Sequence, residues 1–181
     1  MGEIYGSLDT TLREWIAQQK VFFVGTAPLA ANGLINCSPK GLDTFRVVSE
    51  HEAVYLDLTG SGVETIAHLK ENGRIVIMFC SFDAIPRILR LHGTGYVYLP
   101  HSAQFDAYRP LFGEFAGVRS IIKMEVKRIA DACGYGVPEY TFNVERDTLV
   151  RELEHQGAQG VLDYQKSQNA RSLDGLPGLR G

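Results

Sequence analysis

VYLDLTGSGVETIAHLKENGRIVIMF, Val54 to Phe79, holds in one stretch the pieces that decide the fold. Ala53 to Leu58 is rich in β-branched, aromatic and aliphatic residues and reads as a strand. Thr59-Gly60-Ser61-Gly62 supplies turn residues, and Val63 to Asn72 follows with helical spacing. Asn72-Gly73 stops that helix, because glycine accepts the left-handed conformation of a helix end. Arg74 to Phe82 is a second, almost continuously apolar strand. The loop between strand and helix has two readings. It is a connecting turn that uses glycine for conformation and Ser or Thr for capping. Alternatively it is an anion cradle, because unpaired N–H groups at a helix start attract phosphate. The pattern lacks the Lys-Ser/Thr ending of a P-loop and the βαβ context of a dinucleotide fingerprint, so nucleotide hydrolysis and a Rossmann site fit poorly. Glu64 in the first helical turn carries the wrong sign for a phosphate site, so positive charge has to come from neighbouring strands.

Working outward, Thr11-Leu12-Arg13-Glu14 fits a capping box that opens a short helix ending before Val21. Val21 to Ala27 is a strand, and Asn32-Gly33 signals a hairpin into a second strand over Leu34 to Ser38. Pro39 ends that strand or marks it as an edge. Arg87 to Leu99 alternates as a strand, with Gly93 and Gly95 suggesting a bulge or a close backbone approach. His101 to Phe112 has helical spacing, and Ser120 to Ile129 alternates cleanly as the sixth strand. Asn143 or Asp147 opens a last helix through Glu154, and the tail from about residue 157 to 181 shows little periodicity. Strands joined by short turns, with helices as insertions, predict a mainly β, six-stranded antiparallel barrel in one domain.

The chain has 181 residues, of which 45% are hydrophobic and 22% charged, with net charge -3. That is enough for one sizeable core. Scattered, outnumbered basic residues point to no nucleic-acid or membrane partner. No signal peptide or spanning segment is evident, so the expected compartment is the cytoplasm. Cys37, Cys80 and Cys133 lack CxxC spacing and read as reduced, buried thiols. The five histidines form no HExxH or HxxxH pattern, so no metal site is expected.

Three groups of residues can carry chemistry. The loop offers Thr59, Gly60, Ser61, Gly62 and Thr65. Strand alternation puts Asn36, Ser38 and Lys40 on one face, suited to an oxygen-rich ligand or simply to water. Arg87 and Arg90 lie in a strand that otherwise reads as core. A buried guanidinium needs an anion, so Asp57, Glu64 or a ligand phosphate is the expected partner. His68, one turn beyond Glu64, can pair with it on the helix surface, and reads as a structural or surface histidine before it reads as a ligand contact. No nucleophile has a triad around it, and no catalytic residue is assigned.

Taken in order, FFVGTA, NGLINCSPKG, VYLDLTGSGVETIAHLKENGRIVIMF and PRILRLHGTGYV resemble the pyridoxamine-phosphate-oxidase-related family of flavin-binding split barrels. The resemblance runs from about Val21 to Val137. It implies a six-stranded split barrel acting as a homodimer, with one FMN at each of two equivalent sites across the interface. It also implies that Lys40 matches the family's basic residue ending the second strand. Thr59 matches its threonine after the third strand, and Arg87 or Arg90 its basic strand positions. The family's oxidase has an Arg-Lys pair at the helix start, where this chain has Glu64 and Thr65. Its C-terminal substrate-binding Arg and His have no clear match, so pyridoxine-phosphate oxidation is not expected. CGYGVP and NARSLDGLPGL resemble a separate branch, whose tail (Asn169, Arg171, Ser172) can fold back to replace lost contacts. The implied function is an FMN-dependent oxidoreductase of unknown substrate. The alternative is a storage or sensor protein on the same barrel, holding FMN, haem or a deazaflavin.

Overall fold

A computed structural model describes residues 2–179. Eight strands form one antiparallel sheet: β1 (Ile4–Tyr5), β2 (Phe22–Thr26), β3 (Asn36–Lys40), β4 (Phe45–Ser49), β5 (Glu52–Leu58), β6 (Arg74–Cys80), β7 (Ile88–Tyr98) and β8 (Val118–Ala132). Four α-helices accompany it: α1 (Thr10–Gln18), α2 (Glu64–Asn72), α3 (Ala103–Tyr108) and α4 (Thr148–Gln168). The strand order is β3-β2-β6-β7-β8-β5-β4, with β1 added beside β8. The expected six strands are therefore eight. The two additions are a two-residue edge piece and the short β4, neither long enough to give a clear period in sequence.

The sheet is open between β3 and β4, yet it curls so that its ends face one another. Lys40 on β3 reaches Asp57 on β5, and Phe22 on β2 packs on Phe45 of β4 with ring centroids 5.1 Å apart. The inward faces of β2, β5, β6, β7 and β8 fill the space between, with Val24, Tyr55, Ile77, Leu89, Leu91 and Ile122 buried there. Apolar burial of this kind contributes about 25 cal/mol per Å². A smaller cluster of Val54, Leu56, Phe105, Phe112 and Ile121 sits on the outer side of β5 and β8, under α3. This explains why β5 is apolar on both faces.

Pro39 lies inside β3 without cost to the sheet because β3 is an edge strand. The β2–β3 hairpin forms, but Asn32-Gly33 sits within a longer connection and the strand starts at Asn36. Helix α1 is capped by Asp9, which accepts the Leu12 N–H at 2.8 Å, rather than by Thr11. Gly73 ends α2 at φ 71°. The chain after Glu154 is more ordered than its sequence suggests. Helix α4 continues to Gln168 across a break at Gly157, whose φ of 65° and ψ of 172° interrupt the turn. Of the cysteines only Cys80 is buried; Cys37 and Cys133 are exposed. Among the described residues no helix is long and apolar enough to cross a membrane, and no cluster of His, Cys, Asp and Glu could hold a metal ion.

Candidate functional site

Two adjoining cavities open where β3, β5, the start of α2 and the start of β8 meet. The polar one, about 300 Å³, is lined by Asn36, Ser38, Lys40, Gly60 to Gly62, Glu64, Thr65 and Arg119. The apolar one, about 830 Å³, lies between Leu42, Leu56 and Leu58 on one side and Val144 to Glu152, at the start of α4, on the other. Pro39, Lys40, Leu58 and Gly60 line both, so Lys40 stands at their junction. A third cavity between α1 and β4 contains none of the candidate residues.

The electrostatic centre is Asp57, which is 1% exposed. Alternation along β5 turns it away from the outer apolar cluster. Arg119 grips it with two bonds, Nε to Oδ2 at 2.8 Å and Nη2 to Oδ1 at 3.2 Å. Ser120 Oγ donates to Oδ2 at 3.1 Å, and Lys40 Nζ approaches Oδ1 at 3.3 Å. Burial alone would push the Asp57 carboxyl up, but the charges and hydrogen bonds of Arg119 and Lys40 prevail and hold it below the ordinary carboxylate range. Arg119 also donates through Nη1 to the Gly62 carbonyl at 2.7 Å and to Asn169 Oδ1 at 3.0 Å. One buried guanidinium thus ties β5, the glycine loop and the tail together. Each of its nitrogens is bonded, which leaves the half-buried Lys40 as the cation of the polar cavity able to meet a ligand.

The loop is anchored and open at once. Thr59 donates both its N–H and its hydroxyl to the Gly117 carbonyl and accepts from Gln165, so its side chain is a structural pin. Beyond it, the backbone N–H groups from Gly60 to Ile66 meet no protein acceptor among the described residues, and Val63 at the cap supplies none. Helix starts of this kind draw negative charge. Glu64 partly answers that demand. Its carboxylate lies against Gly62, where an added Cβ would come within 2.3 Å of Oε2, and its Oε1 accepts the Leu173 N–H at 3.2 Å.

The tail does fold back. Asn169 is fully buried and donates to the Gly60 carbonyl at 3.0 Å. Residues 169–179 then double back, joined by an Arg171–Pro177 bridge and by Leu179 N–H to the Asn169 carbonyl. Ser172 is buried within this clip, and Arg171 bonds to Gly175 rather than to the loop.

Asn36, Ser38, Lys40, Gly60, Ser61, Gly62 and Thr65 therefore converge on the polar cavity, with Thr59 on its neighbour. Arg87 and Arg90 do not. Arg87 pairs with Asp131 at 3.2 Å, donates to the Tyr5 hydroxyl at 2.8 Å and lies over the Trp15 ring. Asp131 is twelve residues along β8 from Arg119, up to roughly 40 Å of strand path. Arg90 lies on the outward face of β7, near Cys80 and His92. The arginine that Asp57 requires is Arg119, which the sequence reading missed. The signal was present: a charge inside an apolar strand needs a counter-charge, and β5 and β8 pair Asp57 opposite Ser120. His68 is a structural histidine, buried on the inner side of α2 against Thr26, and it does not pair with Glu64.

The family model described as pyridoxamine 5'-phosphate oxidase matches residues 8–133. A curated relative, the pyridoxamine 5'-phosphate oxidase family protein ustO of Aspergillus flavus, is 42% identical over 192 residues, covering 97% of this chain and 77% of the relative. The chain belongs to the pyridoxamine 5'-phosphate oxidase family. Solved structures agree on the fold. HupZ of Group A Streptococcus aligns at TM-score 0.54 and 19% identity, over 74% of this chain and 99% of that one. An FMN-binding protein of Syntrophomonas wolfei aligns at 0.50 and 14%, over 66% and 81%. The family match stops at residue 133, so α4 and the clip, which supply Gln165 and Asn169 to the site, lie outside it. The curled sheet open between β3 and β4 is the split barrel of this family.

Proposed function

We propose that the chain binds FMN in the paired cavities and acts as an FMN-dependent oxidoreductase. The observation that carries this reading is the junction at Lys40. A polar compartment with unpaired N–H groups and hydroxyls opens directly into an apolar one. That division matches a ligand with a polyol-phosphate tail and a flat, apolar ring system. The FMN-binding protein of Syntrophomonas wolfei, which shares the fold, supports the same choice. Bound flavin supplies the hydride and electron chemistry, and the protein contributes position and electrostatics. Lys40 Nζ and the N–H groups of the Gly60–Gly62 loop would hold the phosphate. Asn36 and Ser38 would line the polyol, while Leu42, Leu56 and Leu58 would exclude water from the ring.

The functional unit of this proposal is a homodimer in the cytoplasm. Tyr135, Tyr140, Phe142 and Val144 leave apolar surface exposed on the segment leading to α4, which reaches the apolar cavity at Val144, as a subunit contact would require. All three cysteines are free thiols, which suits a reducing compartment. The test is anaerobic addition of NADH or NADPH to FMN-loaded protein. The oxidoreductase reading expects the yellow absorbance to bleach and to return when an electron acceptor is admitted. A loaded protein that neither reductant bleaches is a carrier or sensor instead.

A further inference from the structure

Beneath the polar cavity runs a chain of side chains that the phosphate cradle does not use. His68 Nδ1 lies 3.0 Å from Thr26 Oγ1. Asn36 donates through Nδ2 to Thr26 Oγ1 at 3.1 Å and to Thr65 Oγ1 at 3.0 Å. Ser38 Oγ donates to Asn36 Oδ1 at 2.8 Å. His68, Thr26 and Thr65 are buried, whereas Asn36, Ser38 and Thr65 reach the cavity wall. Nε2 of His68 has no hydrogen-bond partner among the described residues.

The direction of this chain follows from counting hydrogens. Thr26 already accepts from Asn36, so its own hydroxyl proton needs an acceptor, and His68 Nδ1 is the one within reach. That assignment puts the imidazole proton on Nε2 and leaves one buried group unpaired. With the Asn36 amide N–H groups turned onto Thr26 and Thr65, the opposite tautomer, in which Nδ1–H donates to Thr26, would orphan both the Thr26 proton and the Nε2 lone pair. Each buried orphan is costly, so the arrangement with fewer of them prevails. The neutral ring agrees with its surroundings. Burial pulls the His68 pKa down against the opposing pull of Asp174, Glu64 and Glu71.

With His68 as the terminal acceptor, the links from Thr26 through Asn36 to Ser38 follow. Thr26 donates inward, Asn36 turns its amide N–H groups onto Thr26 and Thr65, and Ser38 spends its proton on Asn36. Ser38 then shows the cavity only lone pairs. We infer that His68, through Thr26 and Asn36, is a positioning residue that makes Asn36 and Ser38, the β3 side chains preceding Lys40 on the polar cavity, acceptors selective for a ligand chain bearing hydroxyl donors. This rests on the flavin reading of the same cavity, where the ribityl chain is such a donor set.

The experiment compares affinities for riboflavin, which carries the polyol, and lumiflavin, which has a methyl group in its place, by quenching of flavin fluorescence. In the wild type, riboflavin should bind more tightly than lumiflavin. Thr26→Val keeps the shape but removes the relay hydroxyl, and is expected to weaken riboflavin about tenfold while leaving lumiflavin unchanged. Thr26→Ser should restore the preference, and so should His68→Asn, whose side-chain oxygen can stand where Nδ1 accepts. ¹⁵N NMR of the wild-type imidazole should find the proton on Nε2. A Thr26→Val protein that binds both flavins as the wild type does, or weakens both equally, overturns the inference and leaves the flavin site standing. A proton found on Nδ1 overturns it as well. If the wild type quenches neither flavin, the flavin reading itself fails, and this inference fails with it.

Discussion

Glu64 and Asp57 set the charge of the polar cavity from opposite sides. Lys40 and Arg119 bring two positive charges, and Asp57 and Glu64 bring two negative ones, so the resident charges balance before any phosphate arrives. The Glu64 carboxylate lies beside Gly62 in the same cavity and should therefore oppose a phosphate there. Replacing Glu64 with Gln is expected to tighten FMN binding several-fold while moving riboflavin little, as measured by parallel titrations; like charges brought this close cost affinity. Asp57 has the opposite standing. Asp57→Asn leaves Arg119 buried without its counter-ion and should cost about 3–5 kcal/mol. A thermal melt would show this as a midpoint lower by roughly 10 °C. Because the folded carboxyl is depressed, Asp57 contributes its full stabilisation above the ordinary value of 3.8 and loses it as pH falls below that value. The Asn variant should lack that component of acid unfolding. At this scale the sequence disclosed that a strand arginine needs an anion such as Asp57, but not which arginine meets it. Arg87 and Arg119 are both arginines at the margins of apolar strands, and only strand register separates them.

At the scale of elements, the central strand-loop-helix-strand unit was readable because hydrophobic period, glycine punctuation and helix stop agreed within twenty-odd residues. Elements that depend on distant partners were not. β1 exists because it pairs with β8, more than a hundred residues later, and β4 because it closes against β5. Helix α4 is the clearest case. Gly157 and Gly160 break its apolar pattern, yet packing of Leu153 and Val161 and the bond from Gln165 to Thr59 hold it in place. This yields an unusual prediction. Gly→Ala within a helix ordinarily stabilises by about 1 kcal/mol. Gly157 occupies a region that is essentially glycine-only, so Gly157→Ala should instead destabilise by about 1–3 kcal/mol, measured by urea unfolding. An added Cβ there meets nothing within 4 Å, so the loss would come from the backbone alone.

Seen whole, the molecule is a curled sheet whose two end strands, β3 and β4, are not paired with each other. Resemblance across the ordered motifs led to this architecture more directly than composition or periodicity did, because alternation reveals strands without revealing how a sheet bends. The tail was the least legible part. Its role depends on Asn169 meeting Gly60 and Arg119, contacts that span 109 and 50 residues. The central claim, that the paired cavities hold FMN with Lys40 as the ligand-facing cation, is most directly tested by titrating FMN into the flavin-free protein and following the quenching of its fluorescence. Saturation at one FMN per chain, weakened about tenfold in Lys40→Ala, is the expected result. Fluorescence that stays unchanged to saturating protein, or quenching indifferent to Lys40, would contradict it.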